Sequence, residues 1–122
     1  MNLYIWIAQI PLALIFLGSG LAKLTMSKEK MRATGQTGAA SQPLVLVRSV
    51  AFCEVLGAVG VIAPTALGIY RFLTPLAALG FAIIMIGAAR IHSRLKEPKA
   101  VVVNIVLLGL SMFVASGRWV SP

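Results

Sequence analysis

A bundle of four membrane-spanning helices is the fold class this chain predicts, and three observations predict it. Hydrophobic residues fill 59% of the 122 positions. Charged residues fill only 11%, where a soluble domain carries about 25%. The charges are also unevenly spread, leaving charge-free runs at 1–22, 55–70, 72–89 and 100–117. A spanning helix needs about 20 predominantly apolar residues, and each run reaches that length alone or with a short flank. The net charge of +8 does not point to nucleic acid, because the basic residues fall between apolar runs and line no soluble face. Cys53 is the single cysteine, which removes intramolecular disulfides, CxxC chemistry and thiolate clusters. It reads as a small buried thiol.

The first helix is expected at 3–23. It has no basic segment ahead of it and is longer than the apolar region of a signal peptide, so it reads as a retained span. Pro11 should bend it where neighbours satisfy the freed carbonyl. Residues 25–43 form a polar loop rich in Gly, Ser and Thr, whose first half is suited to a short basic helix on the membrane surface. The second helix, 45–63, takes Glu54 into the membrane. The turn Ala63 to Gly68 leads to a third helix at 71–91. Leu95 to Ala100 makes a tight turn into the fourth, at 100–118. No internal repeat is visible, and the whole chain, 1–122, makes a single four-helix domain.

Orientation follows from the basic residues. Lys23, Lys28, Lys30, Arg32 and Arg48 flank the first loop, and Arg90, Arg94, Lys96 and Lys99 the third. Only Arg71 and Arg118 fall at the other end. The positive-inside rule then places both basic loops in the cytoplasm and both termini on the extracytoplasmic side of the cell membrane.

With about 1.5 Å of rise per residue, the polar residues can be ranked by depth. Lys23 ends the first helix at the cytoplasmic side. Glu54 lies six residues past Arg48, or about 9 Å deeper. Arg90 and His92 close the third helix, and Asn104 lies one turn into the fourth. Each helix thus sends a polar side chain to one layer, and Lys23, Glu54, His92 and Asn104 are the candidate binding cluster. Gln9, Arg48, Arg90 and Ser111 are secondary candidates. Gln9 shares a helical face with Phe16, Gly20 and Lys23, and Ser111 lies between Asn104 and Arg118 on a seven-residue repeat. Intramembrane carboxylates face bundle interiors and commonly mark function. A pair with Lys23 that merely fixes packing accounts for Glu54 equally well. One histidine cannot supply two axial haem ligands, and no metal-ligand set stands out.

These residues carry a family resemblance. The stretches LIFLGSGLAKLT (14–25), FCEVLGAVGVIAP (52–64) and TPLAALGFAIIMIGAARIHSRLKEP (74–98), with a last helix ending in Gly117 and Arg118, resemble the DoxX-like family of small four-helix bacterial membrane proteins. The resemblance covers most of the chain, in order and spacing. It implies a membrane subunit or anchor of a quinone-linked redox or oxidative-stress system, working with an oxidoreductase partner or a second copy. Lys23, Glu54 and His92 match the family's polar positions. A quinone is the implied ligand, since an apolar slot with one or two proton donors suits its carbonyls. Two other classes stay open: a non-catalytic membrane scaffold and a small proton-coupled transporter. Against the transporter, the membrane carboxylate of small multidrug exporters sits in their first helix, whereas Glu54 is in the second.

Overall fold

The computed structural model describes residues 2–122 and contains six helices: α1 (Asn2–Thr25), α2 (Lys28–Ala33), α3 (Thr37–Ala40), α4 (Leu44–Leu67), α5 (Leu73–Arg94) and α6 (Pro98–Val120). The long helices α1, α4, α5 and α6 have 22 to 24 residues each. That gives about 33–36 Å of helix, enough to cross a hydrocarbon core of about 30 Å. They run alternately up and down, each packed on the next, and α6 closes the ring against α1 where the termini lie.

The apolar side chains divide as a bilayer requires. Leu12, Phe16, Ala58, Val61, Phe81 and Val114 are buried between helices. Leu14, Leu56, Ile83 and Val106 point outward, where in a membrane they meet lipid. Phe16 and Phe81 stack face to face in the centre, with centroids 3.8 Å apart and planes 4° from parallel. Gly57 makes that stack possible, since a Cβ there would sit 2.4 Å from Phe81 Cε1.

All four spans are longer at one or both ends than the apolar runs suggest. The largest difference is α4, which continues through Pro64 to Leu67, past the turn expected at Ala63 to Gly68. A helical proline frees the carbonyl four residues back. Here that carbonyl, of Gly60, accepts a 3.1 Å hydrogen bond from Thr74 Oγ1, whose hydroxyl also lies 2.8 Å from that of Thr65. With its orphan acceptor satisfied, α4 runs on to a left-handed Gly68 at φ 70°.

The first loop is more ordered than its composition suggests. Ser27 caps α2 by accepting from the Lys30 amide at 3.2 Å, and Met31 is fully buried against Ala40 and Val47. This small apolar cluster folds the α2–α3 segment back over the end of the bundle. The expectation for Cys53 is corrected: it is exposed, because it lies on the opposite side of α4 from Ala51, Ala58 and Val61, which face the interior.

Candidate functional site

The site is built from the close approach of α1 to α4. A Cβ on Gly20 would lie 2.8 Å from the Ala51 carbonyl oxygen and 3.2 Å from Glu54 Cβ. Only a glycine lets the two backbones come this near. One turn later Lys23 extends towards α4, and its Nζ lies 3.0 Å from Glu54 Oε1. Glu54 is 1% exposed and Lys23 20%, so the pair runs inward from the rim of the bundle. Arg48 donates to the Lys23 carbonyl, satisfying an acceptor that the end of α1 leaves without a helical partner. Glu54 Oε2 has no hydrogen-bond partner among the described residues.

Beside this pair is a cavity of about 500 Å³, within the range of small-molecule sites. Ile15, Phe16, Val47, Val50, Ile84 and Met85 give it an apolar wall, and Lys23, His92 and Asn104 reach it from three different helices. Its lining includes the outward-facing Ile15, Leu46 and Ile83, so it opens onto the lipid-facing surface. Gly35, Gln36, Gly38, Ala39 and Gln42 of the first loop cover its remaining end. Asn104 is 7% exposed, and its Nδ2 has no partner among the described residues. A buried donor left unpaired costs about 1–3 kcal/mol, which makes this amide the sharpest polar feature of the cavity. Glu54 itself is absent from the lining, whereas its partner Lys23 belongs to it.

His92 has a partner that the sequence reading did not foresee. Its Nδ1 lies 2.8 Å from Glu97 Oε1, and Glu97 Oε2 accepts a 2.6 Å hydrogen bond from the Thr37 hydroxyl. Glu97 therefore ties the first loop to the α5–α6 turn across 60 residues of sequence. The signal for it was present but unused: Glu97 is one of only three carboxylates in the chain and stands five residues from the single histidine. The Thr37 hydroxyl bond and then the His92 contact hold the Glu97 carboxyl below its ordinary value. The tie thus stabilises the fold above the usual carboxylate range and weakens as pH falls through it. The thermal stability of the wild type should exceed that of Glu97→Gln at neutral pH, and the gap should close on acidification. A gap that held constant from neutral to strongly acidic pH in circular-dichroism melts would contradict this assignment.

The secondary candidates are scattered. Arg90 is exposed and reaches none of these groups. Ser111 is fully buried, yet its hydroxyl donates to Leu107 O of its own helix at 2.7 Å, so it takes no part in the polar layer. Gln9 lies at the opposite end, donating to Val61 O at 2.5 Å and accepting from Arg118 Nε at 2.8 Å. Sequence reasoning treated Arg118 as a boundary charge, but it is only 2% exposed. It also bonds Asn2 Oδ1 at 2.6 Å and lies over the Trp6 ring at 5.2 Å. This second cluster pins the first helix to the last. Among the described residues, no group of three His, Cys, Asp or Glu side chains could hold a metal ion.

Comparison of the chain with family models gives a match over residues 7–114 to the DoxX-like family. The chain belongs to the DoxX-like family. No curated protein and no solved structure matches it in the corresponding searches. The match takes in parts of all four long helices together with Lys23, Glu54, His92 and Asn104. With four helices long and apolar enough to span a bilayer, this DoxX-like protein is a multi-pass integral membrane protein.

Proposed function

We propose that this DoxX-like protein is a membrane subunit of a quinone-linked redox or oxidative-stress system, and that the cavity holds the quinone head group. The supporting observation is the buried Asn104 amide: the residue is part of the cavity lining, and its Nδ2 has no hydrogen-bond partner among the described residues. A quinone carbonyl is an acceptor of the kind this donor lacks. The surroundings also suit a neutral ligand, since the Lys23 ammonium is paired with Glu54 and the Glu97 carboxylate is outside the lining, bonded to Thr37 and His92. A lipid-soluble quinone would leave its tail in the opening beside Ile83. The nine basic residues flanking the two loops at this end orient the cavity towards the cytoplasm by the positive-inside rule. There an oxidoreductase partner, or a second copy of the chain, can meet it.

A second reading has its own support. The Lys23–Glu54 pair lies beside the cavity wall and joins α1 to α4, as a scaffold would require, and a scaffold needs no ligand. Quinone binding separates the two. Protein in lipid nanodiscs should bind a short-chain naphthoquinone saturably, and Asn104→Leu should weaken binding about tenfold, the effect of losing one well-placed hydrogen bond in a dry site. Absence of saturable binding to the wild type at submillimolar quinone would favour the scaffold.

A further inference from the structure

Glu97 does more than hold the first loop in place. A carboxylate only accepts hydrogen bonds, so the 2.8 Å contact with His92 requires a proton on Nδ1. In the neutral ring this leaves the lone pair on Nε2, a nitrogen that makes no hydrogen bond among the described residues. The His92 ring lines the cavity, and Gly38 lies over its Nε2 edge. A Cβ at position 38 would stand 2.8 Å from Cε1 and 2.9 Å from Nε2, crowding the side of the ring that carries that lone pair.

We propose that Glu97 is a positioning residue that fixes His92 as a hydrogen-bond acceptor facing the cavity, so that the site selects a ligand bearing a hydroxyl donor as well as an oxygen acceptor. The hydroxyl would donate to His92 Nε2 while Asn104 Nδ2 donates to an oxygen across the ring. Under the quinone reading, on which the ligand half of this inference rests, the favoured occupant is the reduced, dihydroxy form. The same carboxylate binds Thr37 through its other oxygen, so closing the α2–α3 segment over the cavity and presenting the acceptor are one arrangement.

The chain has a single histidine, which makes the test direct. Protein labelled with ¹⁵N-histidine in nanodiscs, at mildly alkaline pH, should show one neutral ring form with Nδ1 protonated and Nε2 bare. Glu97→Gln, whose amide can pair with either tautomer, should shift the signals towards the Nε2-protonated form that free imidazole favours. A wild-type ring protonated at Nε2, alone or at both nitrogens, would overturn the assignment, as would an unchanged tautomer in Glu97→Gln.

The ligand arm compares a short-chain naphthohydroquinone, kept reduced, with its dimethyl ether, which has lost both donors. The wild type should prefer the hydroquinone by about tenfold. Glu97→Gln and Gly38→Ala should each bring the ratio near one, the latter without altering the tautomer. Equal binding of the two compounds by the wild type would overturn the specificity claim. Binding of neither, with the Nδ1-protonated ring observed, would overturn the quinone reading and leave the role of Glu97 standing.

Discussion

Lys23→Met is expected to destabilise the bundle far more than Glu54→Gln, although both remove the same ion pair. Glu54 is 1% exposed and faces α1, where its Cβ lies 3.2 Å from the place a Cβ on Gly20 would take. Without Lys23 the carboxylate stays in that place with no counter-charge, and stranding a buried ion costs about 3–5 kcal/mol. Arg48 cannot substitute, being engaged with the Lys23 carbonyl and placed six residues before Glu54 on α4. The reverse deletion is milder. Lys23 lies at the end of α1 and is 20% exposed, so its ammonium can swing to the headgroup region on its flexible stem. Glutamine keeps the shape of Glu54 and carries no charge to strand, for an expected loss of about 1 kcal/mol. The double variant Lys23→Met with Glu54→Gln should recover most of what Lys23→Met loses, because removing both charges of a buried pair is often close to neutral. Unfolding in mixed micelles of rising dodecyl sulfate content would rank the four proteins. Equal losses in the two single variants, or a double variant as weak as Lys23→Met, would show that the charge is not what makes Glu54 depend on Lys23.

The asymmetry also bears on function. Lys23 touches the cavity and Glu54 does not, so Glu54 acts on any ligand through Lys23. The unpaired Oε2 of Glu54 thus lies on a residue outside the cavity lining, while the unpaired Nδ2 of Asn104 lies on a residue within it. Two orphaned polar atoms in one layer thus have different meanings, and only their surroundings separate them.

The spans were legible in the sequence because membrane helices announce themselves by long apolar runs, and the depth ranking of Lys23, Glu54, His92 and Asn104 followed from rise per residue alone. Azimuth was less accessible. Gln9 and Lys23 share a face of α1, but fourteen residues separate them by about 21 Å, and they belong to clusters at opposite ends of the bundle. Ser111 sits on the Asn104 stripe yet bonds its own helix, a choice that periodicity does not encode. The end of α4 was misplaced because a proline reads locally as a stop. Its compensation comes from Thr74, on the next helix. Glu97 and Thr37 were missed for a related reason: the bond between them spans 60 positions and joins two segments that each look like plain connecting loop. Cys53 was expected inside on residue type, whereas its position relative to Ala51 and Ala58 puts it outside.

Gly20→Val tests the packing from which the whole site follows. In the native bundle the space beyond the Gly20 Cα is occupied by the Ala51 carbonyl oxygen, 2.8 Å from where a Cβ would lie, and by Val55 Cγ2, also at 2.8 Å. The first of these is backbone, so no rotamer change relieves the clash and α1 must move away from α4. Overpacking of this kind costs about 1–3 kcal/mol, and separation of the two helices should also lengthen the Lys23–Glu54 contact that lies one turn further on. Valine at position 20 should therefore lower stability and, in the same protein, reduce the extra cost of Lys23→Met, since a pair already pulled apart has less to lose. Small residues at such crossings let membrane helices pack by close backbone approach. Gly18, two residues away with nothing within 4 Å of its would-be Cβ, supplies the control: Gly18→Val should leave stability within about 0.5 kcal/mol of the wild type. If dodecyl sulfate unfolding gave equal losses at positions 18 and 20, or if Gly20→Val and Lys23→Met were simply additive, the α1–α4 approach would not be what brings Lys23 to Glu54.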